Sequence, residues 1–135
     1  MVSCPPRQFV ILRHEMSPES GRGPHWDLML EQSGVLRTWA LSKEPRIGST
    51  IQGQLLDDHR LAYLEFEGEV SGGRGIVTAW MKGTYKLYGE DAAQFVIDLL
   101  SPDWTSRVVA AQREKTNEWQ FQFDPIPFTP SRGFE

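Results

Sequence analysis

The sequence has a single cysteine, Cys4, so no internal disulfide can form, and a reducing cytoplasm fits. Cys4 is read as a tail thiol without a role. No apolar run approaches the roughly 18–20 residues of a membrane span, so no membrane partner is expected. The opening MVSCPPRQFV lacks an apolar stretch behind a basic start, which argues against a signal peptide. Positive charge is not in excess either. A net charge of −4 argues against a protein that coats nucleic acid nonspecifically. Repeats, low-complexity blocks and a nucleotidyl-transfer lysine motif are all missing, and 135 residues suit one domain.

What the chain does contain is aromatic and β-branched. Five Trp and seven Phe make an aromatic-rich core. Turn signals recur at short intervals, among them Ser33-Gly34, Gly72-Gly73-Arg74-Gly75 and Ser101-Pro102. Between such signals lie FVILRH, HWDLMLE, LRTWALS, QLLDDH, LEFEGEV, IVTAWMKGTYKL, QFVIDLLS, RVVAAQRE and EWQFQF. Many short strands at this spacing predict a mainly β fold, an antiparallel barrel or sandwich. Residues 91–100 also place Ala92, Phe95, Val96, Leu99 and Leu100 at helical spacing, so a helix is an alternative there. Residues 45–52 read as loop. The divisions expected are an N-terminal arm over 1–8, one domain over 9–124 and a tail over 125–135 that holds three prolines.

The chemistry is concentrated in His14 and His25-Trp26-Asp27. On a strand, His25 and Asp27 share one face with Met29 and Glu31, while Trp26, Leu28 and Leu30 share the other. Residues 15–24 are loop-like, so runs 9–14 and 25–31 can pair as a hairpin that sets His14 beside His25. Two imidazoles and a carboxylate suit Mn, Zn or another divalent transition metal, with positions left for water or phosphate. The same residues also fit a solvated polar strand face. His59, after Asp57-Asp58, ends another run. Arg13, Arg22, Arg37, Lys43 and Arg46 are candidate phosphate contacts, with Arg22 and Lys43 in loops beside the proposed site. The glycine run 72–75 precedes a strand-like run rather than a helix, so it reads as a tight turn or bulge and not a P-loop.

From about Phe9 to Tyr85 these motifs, in this order, resemble the 3′-phosphoesterase domain of bacterial DNA ligase D and of stand-alone archaeal and bacterial proteins. The resemblance implies a single-domain antiparallel β-barrel with little helix. It implies Mn-dependent removal of a 3′-phosphate or 3′-ribonucleotide from DNA or RNA–DNA 3′ ends in DNA repair, with separate DNA ligase or polymerase chains as partners. It assigns His14, His25 and Asp27 to the metal and His59 to phosphate chemistry. It assigns Lys43, within Thr38-Trp39-Ala40-Leu41-Ser42-Lys43, to phosphate binding, and Tyr63 to the site. Asp57 falls where the family has Glu.

Some positions depart from the family pattern. Ten residues separate the two histidines where the family has five. Met29 stands where the family has an arginine on the site face, and a second family arginine falls near Ile51. A charge-assisted arginine–phosphate contact contributes roughly 1.5–3 kcal/mol. Losing two without replacement would weaken transition-state binding by about 10²–10⁴-fold. Arg22, Arg46 or Arg60 are the candidates to compensate. Two other readings therefore stand beside the phosphoesterase. One is a catalytically weakened module that binds nucleic-acid ends or repair proteins. The other is an Fe(II) oxygenase using His25, Asp27 and His59.

Overall fold

Contiguous apolar runs, FVIL in RQFVILRHE and LML in HWDLMLEQ, are buried on both faces and build the first two strands, β1 (Arg7–Glu15) and β2 (His25–Gln32). They are followed by β3 (Val35–Leu41), β4 (Thr50–Leu55), the two-residue β5 (Gly68–Glu69), β6 (Ile76–Glu90), β7 (Gln94–Ser101), β8 (Trp104–Gln112) and β9 (Glu118–Asp124). Short 3₁₀ helices at Pro18–Ser20 and Leu61–Leu64 are the only helical turns among the described residues. The computed structural model describes residues 6–70 and 72–127. Cys4, most of the N-terminal arm and most of the proline-bearing tail lie outside them.

The strands run antiparallel in the order β1-β2-β3-β4-β9-β8-β7-β6, and β1 also pairs with β6, which closes an eight-stranded barrel. Closure removes the free edges that an open sheet would leave. The fifteen-residue β6 makes closure possible, pairing with β1 along its first part and with β7 along its second. Ser33 and Gly34 both take left-handed conformations (φ 53° and 85°), the geometry of a tight hairpin turn joining β2 to β3.

One face of each strand fills the barrel. Phe9 and Ile11, Leu28 and Leu30, Trp39 and Leu41, Phe95, Ile97 and Leu99, and Trp119, Phe121 and Phe123 form this core. The residues between them face outward. Val10, Leu12, Met29, Leu36 and Val77 make a second apolar cluster there, packed with Val70 and with partly buried Tyr63, Leu64 and Phe66. Residues 61–70 therefore lie as a flap over the outer face of β1, β2, β3 and β6. The site sits at the margin of that flap.

The strand reading of QFVIDLLS holds and its helical alternative does not: in β7, Phe95, Ile97 and Leu99 alternate into the core while the strand pairs on both sides. Two other expectations are corrected. Residues 45–52 are not all loop, since β4 starts at Thr50 and pairs Ile51 with Phe121. QLLDDH and LEFEGEV are not full strands. The first leaves the ladder after Leu55 and returns only through an isolated bridge between His59 and Leu36. In the second, Leu64, Phe66 and Val70 satisfy their hydrophobicity against the outer cluster, and only Gly68–Glu69 adds to β6.

Candidate metal centre and active-site cleft

The β1–β2 ladder pairs His14 directly with His25 and Leu12 with Asp27. Strand alternation puts all three polar side chains on the outer face, as the spacing predicts. Ligand atoms of His14, His25 and Asp27 all lie within 4.8 Å of one another. The imidazole rings sit 4.6 Å apart at 58°. Asp27 is 3% exposed and bridges the pair: Oδ1 is 2.8 Å from His25 Nδ1, and Oδ2 is 3.2 Å from His14 Nδ1. His14, and not His59, completes the cluster, so the Fe(II) oxygenase arrangement is excluded.

His14 is held from both sides. Its Nε2 lies 2.6 Å from the Arg74 carbonyl oxygen, so Nε2–H donates and the proton is fixed on that nitrogen. In the neutral ring Nδ1 is then a lone pair facing a carboxylate oxygen, and two acceptors in contact require a cation between them. A proton on Nδ1 supplies it when the ring is charged, and a divalent ion bound to the same two atoms would replace that proton. A donor set of two imidazoles and one carboxylate, with one imidazole oriented by a carbonyl, is what an open N/O metal site requires. Gly75 permits this approach. Its φ is 99°, and a Cβ there would stand 2.0 Å from the Glu15 carbonyl oxygen. Only glycine lets the turn at 72–75 butt against the end of β1 and present the Arg74 carbonyl.

Electrostatics follow the geometry. The hydrogen bond to Asp27 raises the His14 pKa against the opposing effect of partial burial. Burial pushes the Asp27 carboxyl up, but its bonds to His14 and His25 outweigh this and hold it below the usual value. The raised His14 group stabilises the fold fully below 6.5, and that contribution is lost as pH rises through its folded value. The lowered Asp27 group stabilises above 3.8, and its contribution is lost as pH falls through its folded value. Both contributions are complete between these limits. A metal ion competes with the His14 proton, so its affinity rises over the range where metal-free stability falls. Metal-free thermal midpoints should decline from pH 6 to 8 relative to a His14→Gln variant, while Mn²⁺ affinity climbs. Parallel pH profiles for the two proteins would overturn this linkage.

A cleft of about 380 Å³ opens beside the cluster, lined by His14, His25 and Asp27 and also by His59, Tyr63 and Arg22. His59 Nδ1 donates to the Asp57 carbonyl at 2.9 Å, which leaves Nε2 for other partners, and the ring stands edge-on to Tyr63 at 5.4 Å. Asp57 is exposed and outside the cleft lining; its backbone carbonyl is what meets His59. Lys43 and Arg46 line a neighbouring hollow with Pro24 and Trp26, which meets the cleft at Ser42. Met29 is buried and forms part of the cleft floor, and Ile51 belongs to the barrel core. Sequence reasoning missed Ser42, Gln54 and Arg74, which also line the cleft. Only the glycines around Arg74 signalled a special position.

Barrel and cluster together define a small β-barrel protein with a two-histidine, one-carboxylate candidate metal centre on its outer face. A family model described as the DNA Ligase D 3′-phosphoesterase domain matches residues 14–124, and the chain belongs to that family. Over 82 residues it is 37% identical to the multifunctional non-homologous end joining protein LigD of Mycobacterium bovis, covering 57% of this chain and 10% of the relative. The multifunctional non-homologous end joining DNA repair protein LigD of Mycobacterium tuberculosis shows the same identity and coverage. The multifunctional non-homologous end joining protein LigD of Pseudomonas aeruginosa is 30% identical over 80 residues, 56% of this chain. The chain spans about a tenth of the length of these curated relatives.

Proposed function

We propose that this chain is a metal-dependent phosphoesterase that removes a 3′-phosphate or 3′-ribonucleotide from DNA or RNA–DNA ends during repair in the cytoplasm. The observation that carries this reading is the His14–His25–Asp27 cluster opening onto the cleft that His59 and Tyr63 share, in a member of this family. Mn²⁺ is the favoured ion, with Zn²⁺ or another divalent transition metal as alternatives. When bound, the ion supplies a Lewis acid that neutralises a phosphate oxygen and lowers the pKa of water. Asp27 holds both imidazoles in place for it. Hydrolysis forms a phosphorus–oxygen bond to water and breaks the bond to the 3′ oxygen, which takes up a proton. His59, with Nδ1 committed to the Asp57 carbonyl, is placed to deliver that proton from Nε2. Tyr63 buttresses the His59 ring and lines the cleft with it. Lys43 and Arg46, in the adjoining hollow, suit a backbone phosphate of the strand leading to the 3′ end. Synthesis and sealing would come from DNA polymerase and ligase units beyond these residues.

The test is trimming of a labelled primer–template carrying a 3′-phosphate or 3′-ribonucleotide, with and without Mn²⁺. Wild type should trim only with metal, and His14→Ala should lose at least about 10²-fold of that rate. Equal trimming by the variant, or full trimming without metal, would sink the proposal. The apolar Met29 floor favours one second reading, an end-binding module with weakened catalysis. Stoichiometric Mn²⁺ binding without turnover would identify it.

A further inference from the structure

The metal cluster has a largely apolar floor. Leu12, Met29, Leu41, Val70 and Val77 line the cleft with it, and no strand residue there is a lysine or arginine. Among the described residues, the cations that line this cleft besides its histidines are Arg22 and Arg74. Both come from loops. Arg22 follows Gly21, which caps the Pro18–Ser20 turn at φ 68°, and its backbone N–H donates to Ser20 Oγ at 3.1 Å. Its guanidinium makes no ion pair among the described residues. Arg74 is carried by the turn that orients His14. That turn is tied by Val70 N–H to the Gly75 carbonyl at 2.8 Å and by Arg74 N–H to the Val70 carbonyl.

We propose that Arg22 and Arg74 form the phosphate grip of this cleft and select a terminal phosphomonoester, an inference that rests on the phosphoesterase reading above. A monoester carries a charge of about −1.5 to −2 at neutral pH, against −1 for an internal diester. Two guanidinium forks beside a divalent ion match that higher charge and the planar pairs of phosphate oxygens. The turn at 72–75 then has two separate outputs. Its Arg74 carbonyl sets the metal ligand, and the Arg74 side chain holds the anion that the metal activates.

The experiment compares a 3′-phosphorylated primer–template with its 3′-hydroxyl twin, by fluorescence anisotropy in EDTA, where no hydrolysis occurs. Mn²⁺ titration and Mn²⁺-dependent trimming are run on the same full chains. Wild type should prefer the phosphorylated end. Arg22→Gln and Arg74→Gln should each reduce that preference about 10-fold, and the double variant should abolish it. Mn²⁺ affinity should stay within about twofold, because the Arg74 carbonyl survives the substitution. A double Arg→Lys variant, which keeps the charge and loses the fork, should retain an intermediate preference, and it carries the test should the glutamine pair not fold. An unchanged preference in the double glutamine variant, or loss of Mn²⁺ binding with it, would overturn the grip. If trimming persisted in that case, the phosphoesterase reading would stand without it. A wild type with neither end preference nor trimming would overturn both.

Discussion

Replacing Asp27 with asparagine is expected to lower Mn²⁺ affinity by at least about 10²-fold and to remove metal-dependent trimming, while leaving the barrel folded. Loss of an outer-sphere partner alone costs about 10–100-fold in many metal sites, and Asp27 is a direct ligand candidate. Its two oxygens serve two imidazoles, at 2.8 and 3.2 Å. A carboxamide offers one oxygen and one NH₂ group, so it cannot present an acceptor to both sides. It also weakens the hydrogen bond and removes the charge that raise the His14 pKa, so that pKa should fall toward its ordinary value.

Stability should respond far less than metal binding. Burial already opposes the charged form of Asp27, so an uncharged residue of the same shape relieves that penalty as it forfeits the hydrogen bonds. The net change should stay within about 1–2 kcal/mol. Isothermal titration with Mn²⁺ and urea unfolding in EDTA read the two effects separately. Metal affinity within threefold of wild type would remove Asp27 from the site, whatever the unfolding curve showed.

The parts of this site legible in the sequence are those that strand alternation controls. His25 and Asp27 are two residues apart, so any strand through them shares a face. The run that ends in His14 is joined to His25 by a short loop-like segment, and antiparallel pairing of the two runs sets the histidines side by side. The residues that were not legible arrive through long-range closure. Arg74 reaches His14 only because β6 pairs with β1, setting Ile76 opposite Glu15 and placing the preceding turn at the end of β1. Nothing within fifty residues of His14 announces that. The segment 56–70 misled for a different reason. LEFEGEV alternates as a strand does, but its apolar residues pack on an outer cluster that sequence periodicity treats as solvent. Met29 belongs to the same lesson. It reads as an apolar residue on a polar face, yet that face is a second core, at 1% exposure for Met29 itself. Residues 91–100 satisfied both periods, and pairing on both edges of β7 decided between them.

The barrel interior makes the second large prediction, Trp39→Ala, which should cost about 3–5 kcal/mol in urea unfolding. A small domain has roughly 5–15 kcal/mol in total, so this one change removes a large share. Trp39 is fully buried, with ring centroids 5.3 Å from Phe95, 5.5 Å from Trp119 and 5.7 Å from Phe121. Arg37 lies over it at 4.8 Å and is itself paired with Glu90 at 3.1 Å. Truncation leaves a hole ringed by stiff aromatics that cannot collapse into it. Trp39→Phe should cost only about 1–2 kcal/mol, because Trp39 Nε1 is buried without a hydrogen-bond partner and its removal offsets part of the lost packing. The core also reaches the site. Trp39 pairs with Leu28 across β2 and β3, one step from the Asp27–Ala40 pair. Loosening this ladder should weaken Mn²⁺ binding in proportion to stability across Trp39→Phe and Trp39→Ala, whereas Asp27→Asn loses the metal at nearly constant stability. Undiminished Mn²⁺ affinity in Trp39→Ala would show that the β1–β2 hairpin holds the ligands without the core behind it.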